Sequence, residues 1–392
     1  MRVHKCIRNT EMRLFDDKIR EDLKPARHLD NLYVFFDRSG RESSKVIREL
    51  LNDWFYRFPQ SEKLELKSRI KLDFSSTFYE LFIHELFTKL GYKLTPHPTL
   101  VNSTDKPDFL AQKEDEEFYI EAKVASDITD KENSNNNRYN SLLDTINTTN
   151  SPDYFLSLKE VKFKKDVQPK GKKIVNFIEQ ELMNLPMEDY NDINSETFEK
   201  PRIEFEDEIL KLSICLIPKS DELRGKTGIR PIGIYNSNGP TWGGADDSIK
   251  SAFKKKAKKY GRLDKPFILC INALSEKQVD EIDVFNAFFG SEQFTLSNNP
   301  NDKAEKFSRA FDGLFLDKNG PKYTKVSGIL VTKAYSTNLE NSPHWFIEHP
   351  FAKFPITLDL QKVVVKESKI TTLAGRSIKE VLNIPEGWLT NK

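Results

Sequence analysis

The stretch that most limits what this 392-residue chain can fold into runs from Thr77 to Lys123. It opens with FYELFIHELFTKLGY, an apolar helix carrying Glu80 and Glu85. Gly91 closes it, being the residue type that most readily takes the left-handed conformation at a helix end. PDFLAQ follows, then a charged turn at 113–117, then FYIEAK. In this last segment the period drops to two: Phe118, Ile120 and Ala122 share one face of a strand, and Tyr119, Glu121 and Lys123 share the other. An antiparallel pairing of the two strands brings Asp108 towards Glu121.

Carboxylates this close repel one another, and burial raises the cost unless a cation joins them. An all-oxygen pair suits Mg²⁺, a hard ion that keeps several waters and accepts phosphate oxygens. Lys123, two residues beyond Glu121, stands on the same surface and can neutralise a phosphate. Other roles compete for the neighbouring residues. Thr77 to Glu80 also spells a capping box, which would reduce Glu80 to a helix cap. Glu85 reads as a solvated or salt-bridged position, and His84 as a packed one.

Taken together, the Glu80-bearing helix, Pro107-Asp108 and Glu121-Ala122-Lys123 resemble the PD-(D/E)XK nuclease superfamily. The resemblance implies an α/β chain with a restriction-endonuclease-like αβββαβ core that hydrolyses DNA phosphodiester bonds with Mg²⁺, Mn²⁺ serving as a substitute. Carried over by position, Asp108 and Glu121 are the implied metal ligands, Lys123 the catalytic lysine and Glu80 an accessory carboxylate. Bacterial restriction, defence or repair is the superfamily's usual setting. A catalytically silent nucleic-acid- or protein-binding module of the same fold, or an RNA-directed nuclease, fits the same residues. The motif-bearing part is under a quarter of the chain. The later half, with KKKAKKYGRLDKPFILCINAL and HPFAKFPI, resembles uncharacterised bacterial proteins, which implies no activity.

The remainder divides into a mostly helical lead-in (1–70), the nuclease-like core with a following helix (71–200), and a second α/β domain (201–392) that selects substrate or partner. In the lead-in, Leu32–Phe36 reads as a short strand or docking segment. Residues 43–58 are helical, with Val46, Leu50, Leu51, Trp54 and Phe55 as the apolar stripe. In the core, 127–138 reads as a polar loop. A helix at 139–147 and a strand at 154–163 would complete the βαβ end, and a helix follows at 172–184. Residues 187–200 read as a linker. The second domain holds a strand at 210–218, a long loop at 225–244 without a nucleotide-binding pattern, a lysine-rich helix at 246–260 and a strand at 266–271. Helical core segments at 285–290 and 307–315, a strand at 326–334 and a frayed tail at 386–392 complete it.

Charge narrows the partners. Sixty-one basic against sixty acidic residues leave a net charge of +1, so only local patches can favour nucleic acid. Lys254, Lys255, Lys258 and Lys259 form the best candidate patch. The lysines at 162–173 read better as a solvated face. His344 and His349 lack a third ligand at metal spacing and read as core or surface residues. Cys6, Cys215 and Cys270 are far apart and odd in number, which points to a reducing compartment. With no signal-peptide core at 1–18 and no run of about 18 apolar residues, the expected setting is the cytoplasm, with no membrane partner. A homodimer or an operon-encoded partner protein is compatible with the chain.

Overall fold

The computed structural model describes residues 12–27, 30–101, 103–125, 130–185, 201–226, 229–235, 245–274, 279–295, 306–366 and 369–389. They form a mixed α/β chain that divides into two compact units, Met1–Lys24, Asn31–Asp127 and Gly243–Lys392 in one, Pro25–Asp30 and Ile128–Trp242 in the other.

The first unit begins with four helices, α1 (Leu32–Arg38), α2 (Glu42–Arg57), α3 (Lys63–Arg69) and α4 (Phe74–Lys89). Residues 32–36 are thus helical rather than a strand: the Asn31 side chain accepts from Tyr33 N at 2.8 Å and caps a turn that buries Tyr33 and Phe36. In α2, Leu51, Trp54 and Phe55 are buried as the periodicity requires, with Ile47 beside them, while Val46 and Leu50 pack at the rim. Helix α4 is apolar nearly all round, the signature of an interior helix. Its cap is Asp73, which accepts from Ser76 N at 3.1 Å. The capping-box reading of Thr77 and Glu80 is therefore corrected, because the helix starts three residues earlier. Gly91 ends it at φ 95°, which a side chain would strain.

Three strands follow, β1 (Lys93–Pro96), β2 (Phe109–Lys113) and β3 (Glu116–Ala125). The chain then forms the helices and strands of the second unit: α5 (Asp130–Ile146), β4 (Tyr154–Phe163), α6 (Gly171–Asn184), β5 (Arg202–Glu206), β6 (Leu210–Pro218) and β7 (Ile232–Tyr235). These strands make a sheet of their own in the order β5-β6-β4-β7. Leu142, Ile146, Ile174 and Ile178 of the two helices pack on Leu156, Leu158, Leu212 and Ile214. The helix and strand at 139–163 therefore do not complete the sheet that holds β3. The polar segment read as a loop is helical from Asp130 onward, residues 126–129 and the linker 187–200 lie outside the described residues, and the long loop contributes β7.

The first unit resumes with α7 (Ala245–Ala257), β8 (Phe267–Ala273), α8 (Glu281–Phe289), β9 (Glu292–Thr295), β10 (Lys306–Arg309), β11 (Leu316–Asp317), β12 (Gly320–Pro321), β13 (Gly328–Thr332), β14 (His344–Glu348), β15 (Lys362–Lys366), β16 (Lys369–Leu373) and α9 (Ile378–Leu382). The segment at 307–315 gives a strand and a turn rather than a helix, since β10 pairs antiparallel with β9. The terminal segment is packed as far as Trp388, which is 8% exposed. The main sheet runs β1-β2-β3-β8-β13-β14-β15-β16. β3, β8 and β13 are parallel neighbours and β1-β2-β3 an antiparallel meander.

Pleating sorts the two faces. Phe118, Ile120, Ile268, Cys270 and Leu330 join the α4 side, whereas Tyr119, Leu269, Ile271, Ile329 and Val331 join the α7 side with Ile249, Phe253 and Tyr260. Each buried Leu, Ile or Phe contributes about 1.5–3 kcal/mol, so a sheet covered on both faces fixes β3 firmly. Among the described residues no helix is long and apolar enough to cross a membrane.

Candidate active site

The antiparallel register of β2 and β3 pairs Phe109 with Ile120. That sets Asp108, one residue before β2, beside Glu121. The Asp108 Oδ2 atom accepts a hydrogen bond from Ala122 N at 2.7 Å. Odd-numbered residues of β3 face α7, so Glu121 and Lys123 point to the same side, as alternation requires. The structure therefore brings together Asp108, Glu121 and Lys123.

Glu121 is 0% exposed. A carboxylate so placed needs partners, and α7 with the turn after it supplies two. Lys256 Nζ donates to Oε1 and Tyr260 donates its hydroxyl proton to Oε2. Lys259 Nζ lies 3.9 Å from Oε1 and donates to the Tyr260 hydroxyl oxygen at 3.3 Å. The Lys106 carbonyl stands 3.1 Å from that oxygen, but the single phenolic proton favours the charged acceptor.

Burial, then the negative charge of Glu121, raises the Asp108 carboxyl to about 7; the Ala122 N–H opposes the rise and the charge of Glu80 adds to it. Lys123 is lowered from its ordinary value, first by loss of hydration and then by the ammonium groups of Lys256 and Lys255. Burial and the adjacent Glu121 raise the Tyr260 hydroxyl, which keeps it a donor. Two crowded carboxylates ringed by ammonium groups make a site with an acid floor and a basic rim.

Glu80 belongs to this electrostatic neighbourhood, but both its oxygens are held by Arg69, at 2.7 and 2.9 Å. Glu85 is fully buried, bridged to Arg57 at 2.7 and 3.0 Å. His84 packs between Phe58 and Phe109, ring centroids 4.8 and 5.7 Å away. Lys254, Lys255, Lys258 and Lys259 are exposed along α7 and its C-terminal turn. His349 Nε2 is 2.8 Å from the Lys322 carbonyl.

Lys256 and Tyr260 are not among the site residues that the motif singles out. Periodicity could have found them: Ile249, Phe253, Lys256 and Tyr260 follow one stripe of the helix at steps of three or four. A lysine inside an apolar stripe implies a buried acid opposite it.

Among the described residues no three His, Cys, Asp or Glu side chains are grouped to hold a metal. The donor set is two carboxylates, which meets Mg²⁺ chemistry when waters and a substrate phosphate complete the shell. Comparisons with models of known protein families, with curated proteins and with solved structures find no match.

Proposed function

We propose that the first unit carries a restriction-endonuclease-like core and acts as a Mg²⁺-dependent nuclease on DNA. The observation that carries this reading is the juxtaposition of half-buried Asp108 with fully buried Glu121, with Lys123 two residues along the same strand face. Element order supports it: α4, β1, β2 and β3, then α7 and the parallel strand β8, follow the helix–three-strand–helix–strand order of such cores, with the second unit inserted between β3 and α7.

Asp108 and Glu121 are the residues that would hold the divalent ion. When bound, the ion would acidify a coordinated water and offset charge on the scissile phosphate. The Ala122 N–H fixes the Asp108 carboxylate for that role, and Tyr260 fixes Glu121. Lys123, partly stripped of water, presents a positive charge to a phosphate oxygen and orients the attacking water. Lys255 and Lys259, one helical turn apart, are placed to receive neighbouring phosphates on the backbone. Glu80, anchored by Arg69, adds negative potential behind Asp108 and acts at one remove.

A second reading has its own support. Both oxygens of Glu121 already have hydrogen-bond donors, as they would in a catalytically silent module that binds nucleic acid without cutting it.

Cleavage assays separate the two. Supercoiled plasmid, linear duplex, single-stranded DNA and total RNA are incubated with Mg²⁺, Mn²⁺ or EDTA, using wild type beside Asp108→Ala and Lys123→Ala. Metal-dependent cutting of DNA that both substitutions abolish is the expected result. Cutting of RNA alone would transfer the substrate class. Binding of intact substrates by folded protein without any cutting would favour the silent module.

A further inference from the structure

The ion pair between Lys256 and Glu121 satisfies a buried carboxylate but has no role in phosphodiester hydrolysis. Lys256 lies on the buried stripe of α7, and its side chain is 23% exposed while Glu121 is sealed from solvent. Its ammonium sits on Oε1, the one oxygen of Glu121 that Tyr260 does not hold. The cation nearest the Asp108–Glu121 pair is therefore a tethered side chain. Lys259, at 3.9 Å from the same oxygen, is too long for a hydrogen bond.

We propose that Lys256 is a built-in counter-ion that occupies the cation position at Glu121 and must swing out before a divalent ion can bind there. This rests on the metal-dependent reading of the site. The chemistry is a plain exchange of charge. With Lys256 in place, Glu121 offers a metal no unshared oxygen, and an ammonium at the centre of the site repels a dication. With Lys256 turned away, Oε1 keeps only the more distant charge of Lys259, and the carboxylate pair binds the ion more strongly. The side chain has somewhere to go: its neighbours Lys255 and Lys259 are exposed at the rim, where a phosphate would take the ammonium in place of Glu121. Lys256 is thus a positioning residue that weakens metal binding in the free protein and couples it to the arrival of a polyanion.

The experiment is metal binding by the full chain without substrate. Mn²⁺ and Mg²⁺ are titrated calorimetrically into wild type, Lys256→Met, Lys256→Gln and Lys256→Arg, with Glu121→Gln as the site control. The rise in melting temperature on adding the same metals is recorded in parallel. Both neutral variants are expected to bind metal roughly tenfold more tightly than wild type, the low end of the effect an adjacent charge has on an ionic equilibrium. They should also gain more thermal stability from it. Lys256→Arg, which keeps the charge, should return to the wild-type affinity, and Glu121→Gln should abolish binding. A lysine that only packs α7 onto the sheet would lower the melting temperature of every variant and leave metal affinity unchanged. Wild-type binding with no tightening in either neutral variant overturns the counter-ion proposal and leaves the metal site standing. Absence of metal binding in wild type and all Lys256 variants, each shown to be folded, overturns the proposal and the metal-dependent reading together.

Discussion

Asp108 lies before β2 and Ala122 within β3, yet the Asp108 carboxylate accepts the Ala122 N–H at 2.7 Å. This bond uses a backbone donor beside Glu121 to hold a second acid against the first. It fixes the separation of the two carboxylates through the strand register rather than through flexible side chains.

The carboxylate crowding gives a stability signature in EDTA. Asp108 is raised from 3.8 to about 7 in the folded protein. Between those values the folded state binds more protons than the unfolded state, so stability falls as pH rises. This contribution is fully present below pH 3.8 and lost as pH passes through about 7. The melting temperature of wild type should fall relative to that of Asp108→Asn as pH rises through that window; the comparison cancels groups common to both, such as His84 and His349, whose burial acts in the opposite direction. Metal affinity should rise through the same window, because the ion takes the deprotonated pair. The same pH dependence in wild type and Asp108→Asn would refute the crowding.

Lys123→Met should cut DNA cleavage by about 100-fold or more, in the range seen when one charge-stabilising donor is removed. Metal affinity should change little or improve, because the substitution removes a positive charge from the rim. Loss of cleavage paired with an equal loss of metal binding would instead make Lys123 a residue that shapes the carboxylate pair.

Glu80 and Glu85 share a helix and should behave oppositely. Glu85→Ala should cost about 3 kcal/mol, the low end for breaking a buried ion pair, since Arg57 keeps Asp53 as a partner. Glu80→Gln, whose partner Arg69 is 38% exposed, should cost about 1 kcal/mol or less and reduce cleavage by under about tenfold. Chemical denaturation and initial rates on the same samples measure both. A Glu80 variant as inactive as Asp108→Ala would promote Glu80 to a direct ligand.

The exposed lysines predict a salt dependence. Lys255→Ala and Lys259→Ala should each lower the slope of log affinity against log salt by about 0.9 for duplex DNA. Lys254→Ala and Lys258→Ala, at the other exposed positions of the same helical segment, should lower it less. Fluorescence anisotropy in Ca²⁺ or EDTA over a salt series reads the slope without cleavage. Equal effects at all four positions would mean that the whole segment contacts the backbone.

The elements around the carboxylates were legible because their signals are local. Alternation in FYIEAK fixed the face of Glu121 and Lys123, and the apolar run of α4 with Gly91 fixed a buried helix and its end. The charged turn at 113–117 implied the hairpin that carries Asp108 to Glu121. Each of these follows from bonding between residues close in the chain.

Sequence by itself thus determined the strand faces, the interior helix and the two acids. Tertiary structure decided which helix and strand complete their sheet. The helix and strand that come next in the chain fold with their own sheet, and the partners of β3 arrive only after that unit, as α7 and β8. Pairing depends on which hydrophobic faces can bury one another, and chain order records that only for neighbours. It also decided the counter-ions. Helical periodicity marks Lys256 and Tyr260 as inward-facing, but they reach Glu121 across 135 and 139 residues, and no spacing rule names a partner at such a distance. Burial of Glu121 is a property of the assembled sheet, and that burial makes its two partners necessary.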